Sequence, residues 1–158
     1  FLSRSTVGEN MKLGTDLADQ MGFLKSFFGK KGNDFLDEVD QYLEIADLTV
    51  NWKDDISSLS YGQLKRLEIV RALLSHPKVL LVDEPAAGLN AKELEKSVAL
   101  MRHAAEKGVG IVLIEHKMDM IMNVCDHIVV LNFGKMIAHG TPEEVQSNEA
   151  VIEAYLGR

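Results

Sequence analysis

At 158 residues, 46% of them hydrophobic, the chain has the size of one domain and enough apolar surface to bury a core, which excludes a disordered or fibrous polymer. Its 24 acidic against 17 basic residues leave a net charge of −7 and no basic block to follow a phosphate backbone, which argues against direct nucleic-acid binding. The single cysteine, Cys125, suits a reducing compartment, and the longest apolar runs, at 79–82 and 111–114, are far too short to span a bilayer. There is no signal-peptide pattern, so any membrane association is expected through a partner.

From residue 1 to about 58 the apolar residues recur at helical spacing, and the stretch 34–46 carries Phe35, Leu36, Val39, Leu43 and Ile45 among acids. This half is expected to be mostly helical, with loops where GKKGN (29–33) breaks the period and where 48–58 mixes polar and apolar residues. The aromatic cluster FLKSFF, with Phe23 and Phe28, reads as core packing or as a docking patch. The texture then changes to alternation: a helix at 60–75, a strand at 79–82, a helix at 91–106, a strand at 110–114 and a helix at 118–124. Strands alternating with helices imply an α/β fold with a parallel sheet, its four aliphatic residues at 79–82 expected to be buried. Segments 127–131 and 135–139 flank the break NFG, which predicts a hairpin. Thr141, Pro142 and Glu144 supply an N-cap, an N1 proline and a capping acid for a short helix near the C-terminus. No internal repeat or low-complexity tract occurs.

Chemistry concentrates at three places. Ser60 stands where an N-cap is expected, before a run with Leu64, Leu67, Val70 and Leu74, and the free N–H groups and positive dipole end of such a helix favour an anion. Gly62 lets backbone approach that guest, and the Ser60 hydroxyl and Gln63 amide can donate to it. Asp83 and Glu84 follow the strand at 79–82, at the carboxyl edge of a parallel sheet where ligands of α/β folds bind. His116 follows the next strand by two residues, near the same edge, whereas His76, His103, His127 and His139 have no motif and read as structural. Met118, Met120 and Met122 read as packing, and Cys125 has no partner at metal spacing, so no metal site is expected there.

The run from Leu59 to Pro85, opening with LSYGQ and closing with VLLVDEP, resembles the signature and Walker B motifs of ABC-type ATPases. Tyr61 replaces the family's glycine, and together with DEPAAGLN, IEH, GTPEEV and AYLG it looks like the branch that powers uptake of branched-chain amino acids. The resemblance implies a partial P-loop NTPase-like sheet with flanking helices, preceded by an ABC-type helical subdomain at 1–75 and followed by a partial catalytic subdomain at 76–158. It further implies ATP and Mg²⁺ as ligands, with Ser60, Tyr61, Gly62 and Gln63 at the phosphate. Asp83 would hold Mg²⁺ through water, Glu84 would be the general base, and His116 the switch histidine that contacts the γ-phosphate. Ala87, Gly88, Leu89 and Asn90 resemble the D-loop, which crosses to the partner subunit, although Asn90 stands where many members have aspartate. The implied partners are a second ATPase subunit and transmembrane permease subunits at the inner face of the plasma membrane.

No G-x-x-x-x-G-K-[ST] phosphate-binding loop occurs in the sequence; neither Lys30 nor Lys135 has the surrounding pattern. The chain begins at Phe1, and with the missing loop this leads us to expect a processed, trimmed or incomplete product. Such a chain is expected to hydrolyse no ATP alone and to have uncovered apolar sheet surface and poor solubility. Two other classes compete: the C-terminal part of a split chromosome-organising ATPase head, which predicts a long heptad region that is absent before Leu59, and a non-catalytic module using only the signature face.

Overall fold

The computed structural model describes residues 1–16 and 30–156, and the FLKSFF cluster lies outside them. Two compact units result, one from Phe1 to Ile114 and the other from Glu115 to Arg158.

In the first unit, helix α1 (Val7–Asp16) is opened by Thr6, whose hydroxyl accepts the Glu9 N–H at 3.2 Å while the Glu9 carboxylate accepts the Thr6 N–H at 2.8 Å. Val7 and Gly8 donate to the carbonyls of Asp54 and Trp52, both at 2.9 Å, so the start of α1 is stitched to the segment that leads into LSYGQ. Helix α2 (Lys30–Ile45) starts within GKKGN rather than after it. The expected loop is therefore helical from Lys30, because an amphipathic run that is already nucleated adds one hydrogen bond per residue and can carry a weak first turn. After a 3-10 turn (Ile56–Ser58) comes helix α3 (Tyr61–Leu73), against which α1, α2 and α4 (Ala91–Glu106) pack. A helix with neighbours on several sides has no wide polar face, and Leu67, Val70, Leu73 and Leu74 are all buried, as is the polar Arg66.

Strand β1 (Val79–Asp83) pairs in parallel with β2 (Gly110–Ile114), Val79 opposite Gly110 and Asp83 opposite Ile114. The helix between them, α4, packs back on β2, which is the expected β-α-β crossover. The expectation that all four aliphatic residues of β1 are buried fails. Leu80 and Val82 are buried, whereas Val79 and Leu81 are 55% and 75% exposed. Side chains alternate across a strand, and among the described residues the second face of this ribbon, continued by Val112 and Ile114, is exposed.

The second unit begins with helix α5 (Met118–Val124) and strands β3 (Ile128–Asn132) and β4 (Lys135–Gly140), an antiparallel hairpin with a register shift between Val130 and Leu131. Its two-residue loop, Phe133 and Gly134, has φ values of 46° and 75°, the pair of positive angles that matches hairpin twist. Helix α6 (Pro142–Gln146) carries the expected capping box, Thr141 with Glu144, and α7 (Glu149–Leu156) follows. Ile128, Val145 and Val151 form the core here, with Met122 and Cys125 against it. Met120 is also buried, so the methionines serve packing. Burial, then the Asp126 charge, pushes the Cys125 thiol up from its ordinary range.

Candidate functional site

The first turn of α3 is built by a reciprocal cap. Ser60 is extended at φ −65°, ψ 160°, its hydroxyl accepts the Gln63 N–H at 3.3 Å, and the Gln63 side-chain Oε1 accepts the Ser60 N–H at 2.9 Å. The box satisfies the backbone donors of Ser60 and Gln63. It leaves the intervening N–H groups of Tyr61 and Gly62 at the positive end of the helix dipole, and the Gln63 side-chain NH₂ and the Ser60 hydroxyl hydrogen remain donors. This donor set, on a helix of 13 residues, fits a phosphate.

Behind that turn, Arg66 holds it in place. Arg66, 7% exposed, donates from Nε to the Gly62 carbonyl at 3.1 Å and from a terminal guanidinium nitrogen to the Ala46 carbonyl at 2.8 Å. A buried cation is tolerated only when hydrogen-bonded, and these bonds tie the start of α3 to the end of α2. Beside Ala46, the Lys92 ammonium meets the Asp47 carboxylate at 3.1 Å and draws that carboxyl below its ordinary range.

Asp83 is the last residue of β1, and both it and Glu84 are exposed at the carboxyl end of the parallel ribbon. Glu84 lies at φ 45°, a left-handed conformation that costs a non-glycine residue about 1–3 kcal/mol. It is held there by its N–H donating to the Ile114 carbonyl at 2.8 Å and by its carbonyl accepting from Ala87 at 3.2 Å. The sharp turn takes the carboxylate out of the strand's alternation. Asp83 fits Mg²⁺ as a hard oxygen donor, and among the described residues no group of three or more His, Cys, Asp or Glu side chains stands ready to hold a metal. A single carboxylate suits a cation that keeps waters and takes phosphate oxygens.

Ala87, Gly88 and Leu89 run from that turn to Asn90, which caps α4. Asn90 Oδ1 accepts the Glu93 N–H at 3.0 Å and Glu93 Oε2 accepts the Asn90 N–H at 3.1 Å. Asn90 thus has a local hydrogen-bonding task that aspartate would also perform. His116, in the second unit, has its backbone N–H held by Glu115 Oε2 at 2.7 Å, and the same oxygen accepts the Lys117 N–H at 3.0 Å. The imidazole Nδ1 lies 3.6 Å from that carboxylate, and the His116 side chain is 70% exposed. The first unit therefore brings together Ser60, Tyr61, Gly62, Gln63 and the 87–90 segment, with Asp83 and Glu84 at the strand end, while His116 is positioned by its own neighbour.

Sequence reasoning missed Arg66, Glu93 and Glu115. Asn-x-x-Glu at 90–93 and Thr-x-x-Glu at 6–9 obey the rule that was applied at Thr141, so their capping was readable. Arg66 gave no such signal, because an arginine on a helix reads as solvated.

The family profile for ABC transporters matches residues 1–87, and that for the branched-chain amino acid ATP-binding cassette transporter matches residues 135–158. The chain is 42% identical over 131 residues to the high-affinity branched-chain amino acid transport ATP-binding protein BraF of Pseudomonas aeruginosa, covering 82% of this chain and 51% of BraF. It is 39% identical over 155 residues to LivG of Escherichia coli K12, a protein of the same description, covering 96% of this chain and 59% of LivG. It thus spans between half and two-thirds of the length of these relatives. A crystal structure of an ATP-binding cassette of an ABC transporter in its ADP conformation matches at TM-score 0.75 and 31% identity, across 99% of this chain and 65% of that one.

Proposed function

The chain belongs to the ABC transporter ATP-binding family, and from that premise we propose that it supplies the signature and Walker B side of an ATPase that powers import of branched-chain amino acids. The observation that carries this reading is the capped first turn of α3, with the Tyr61 and Gly62 N–H groups at its end and the 87–90 segment beside it in one unit. The similarity of residues 135–158 to the branched-chain profile, and of nearly the whole chain to LivG, supports the solute class. The same matches favour a transport ATPase over a chromosome-organising one.

In this reading residues 1–75 form the helical part and 76–158 the catalytic part, a division of roles along the chain. Tyr61 and Gly62 bind the terminal phosphate through backbone N–H groups, and Ser60 and Gln63 through side-chain donors. Asp83 would hold Mg²⁺, which would supply charge neutralisation at the phosphates. Glu84, an exposed residue at the strand end, accepts a proton from the attacking water. His116, in the second unit, takes the role of the switch histidine, its own backbone fixed by Glu115. Ala87 to Asn90 meet a second ATPase subunit. Permease subunits hold the protein at the inner face of the plasma membrane; among the described residues no helix is long and apolar enough to cross a membrane.

Phosphoryl transfer needs the triphosphate held as well as attacked, and the holding loop has no counterpart in this sequence. The isolated 158-residue chain is therefore expected to turn over no ATP. Joined to a segment bearing G-x-x-x-x-G-K-[ST], it is expected to gain a turnover that Glu84→Gln abolishes. Turnover by the chain alone would refute the proposal.

A further inference from the structure

The signature turn and the 87–90 segment do more than lie side by side. Gly62 of the signature turn faces Glu93 on the first turn of α4, and Gly88 of the 87–90 segment faces the Tyr61 ring. Gly62 is buried, and a Cβ placed on it would overlap the carboxylate of Glu93. Gly88 sits at φ +72°, and a Cβ there would lie 2.8 Å from Cε1 of the Tyr61 ring. One carboxylate thus performs two tasks: Glu93 Oε2 caps α4 through the Asn90 N–H at 3.1 Å, while its Oε1 fills the space in front of Gly62. The cap alone accounts for the first contact. It does not account for the second.

We infer that Tyr61 and Glu93 are positioning residues that interlock the signature turn with the 87–90 segment, so that the two shift as one body. The inference rests on the ATPase reading for its functional meaning. A displacement of the first turn of α3 toward α4 meets the Glu93 carboxylate, which is itself held by the Asn90 N–H, and is passed on to Asn90 and the start of α4. Arg66 strengthens the arrangement from the other side, because it clamps the Gly62 carbonyl to the Ala46 carbonyl at the end of α2. A phosphate gripped at Ser60 to Gln63 is thereby felt at Ala87 to Asn90, the stretch that faces a neighbouring subunit in the proposed assembly. This also gives Tyr61 a task that glycine at its position has no side chain to perform: its ring covers Gly88.

The test is amide hydrogen exchange, read by mass spectrometry on the 158-residue chain, for Glu93→Ala, Glu93→Gln, Gly62→Ala, the Gly62→Ala/Glu93→Ala pair and Tyr61→Ala. Glu93→Ala is expected to speed exchange about fivefold to tenfold at 59–64 as well as at 87–93, the scale of a lost cap. Glu93→Gln, which keeps an oxygen for Asn90 and the same shape, should leave both segments near the parent rate. Gly62→Ala should loosen both segments in the parent and add nothing once Glu93 is alanine. Tyr61 is 53% exposed, so its replacement leaves the fold intact, and Tyr61→Ala should loosen 86–90. Faster exchange confined to 87–93 in Glu93→Ala, an equal effect of Gly62→Ala in both backgrounds, or an unmoved 86–90 in Tyr61→Ala would each overturn the inference. In the chain joined to a phosphate-binding segment, Glu93→Ala should raise the ATP concentration for half-maximal turnover severalfold while Glu93→Gln restores it. If even the parent fails to turn over ATP there, the ATPase reading falls and the exchange coupling still stands or falls on its own.

Discussion

The start of α3 and the β1–β2 ribbon place candidate site residues by different means. At α3 a local cap is backed by contacts from other elements: Ser60 and Gln63 cap each other, Arg66 ties the Gly62 carbonyl to that of Ala46, and Glu93 and Tyr61 fill the space before two glycines. The ribbon positions Asp83 and Glu84 with two strands, one covered face and one open apolar face of Val79, Leu81, Val112 and Ile114. In the first region a short-range cap specifies the turn, and contacts with the end of α2 and the start of α4 hold it in place. The second takes its geometry from a β-α-β crossover and leaves apolar surface of a kind that parallel sheets ordinarily cover on both sides.

The largest expected effect breaks the comparison on the catalytic side. In the chain joined to a phosphate-binding segment, Glu84→Gln should lower steady-state ATP turnover about a hundredfold or more, the scale of a lost general base. Retained turnover would mean that the ribbon does not deliver the base. Next come the two faces of the ribbon and the core behind it. Leu100→Ala, at a fully buried site, should cost about 2–5 kcal/mol in urea unfolding of the chain. Leu81→Ala should stay within about 0.5 kcal/mol, and Leu81→Lys should raise solubility in a precipitation assay. An equal cost at Leu81 and Leu100 would show that the outer face is covered in solution.

Smaller effects sharpen the account of the caps. Ser60→Ala should cost about 1 kcal/mol in the same unfolding assay, and Asn90→Ala about as much, because each removes an acceptor for a first-turn N–H. The smallest effect concerns Asp47, whose carboxyl is held below its ordinary range by Lys92, by hydrogen bond and by charge. A depressed folded-state value gives stability that is full above the ordinary carboxylate range and lost as pH falls through the depressed value. Asp47→Asn should therefore lower the melting temperature slightly at neutral pH, and the gap should close in acid. A constant gap across that range would assign the effect to something other than charge.

Much of this was legible in the sequence where short-range rules govern. The helix at 91–106, the strand at 110–114 and the cap at Thr141 appear as the residue pattern implied, because capping and β-α-β alternation act within a few residues. Strand burial was not legible. VLLV reads as a strand buried on both faces, but burial depends on what lies over each face, and here one face lies open. The helical start at Lys30 was missed because GKKGN has poor local propensity and the helix that follows carries it. At the candidate site the Ser60 cap was legible from its place before an apolar run, whereas Arg66 and Glu93 act through contacts between elements that spacing does not encode.

The central claim is that the Ser60–Gln63 turn grips the terminal phosphate of ATP held by a neighbouring subunit. Sedimentation of the Glu84→Gln chain joined to a phosphate-binding segment, with ATP and with ADP, tests it most directly. The account predicts an ATP-dependent dimer that is absent with ADP and lost on Ser60→Arg; a dimer indifferent to the nucleotide, or one that survives Ser60→Arg, would contradict it.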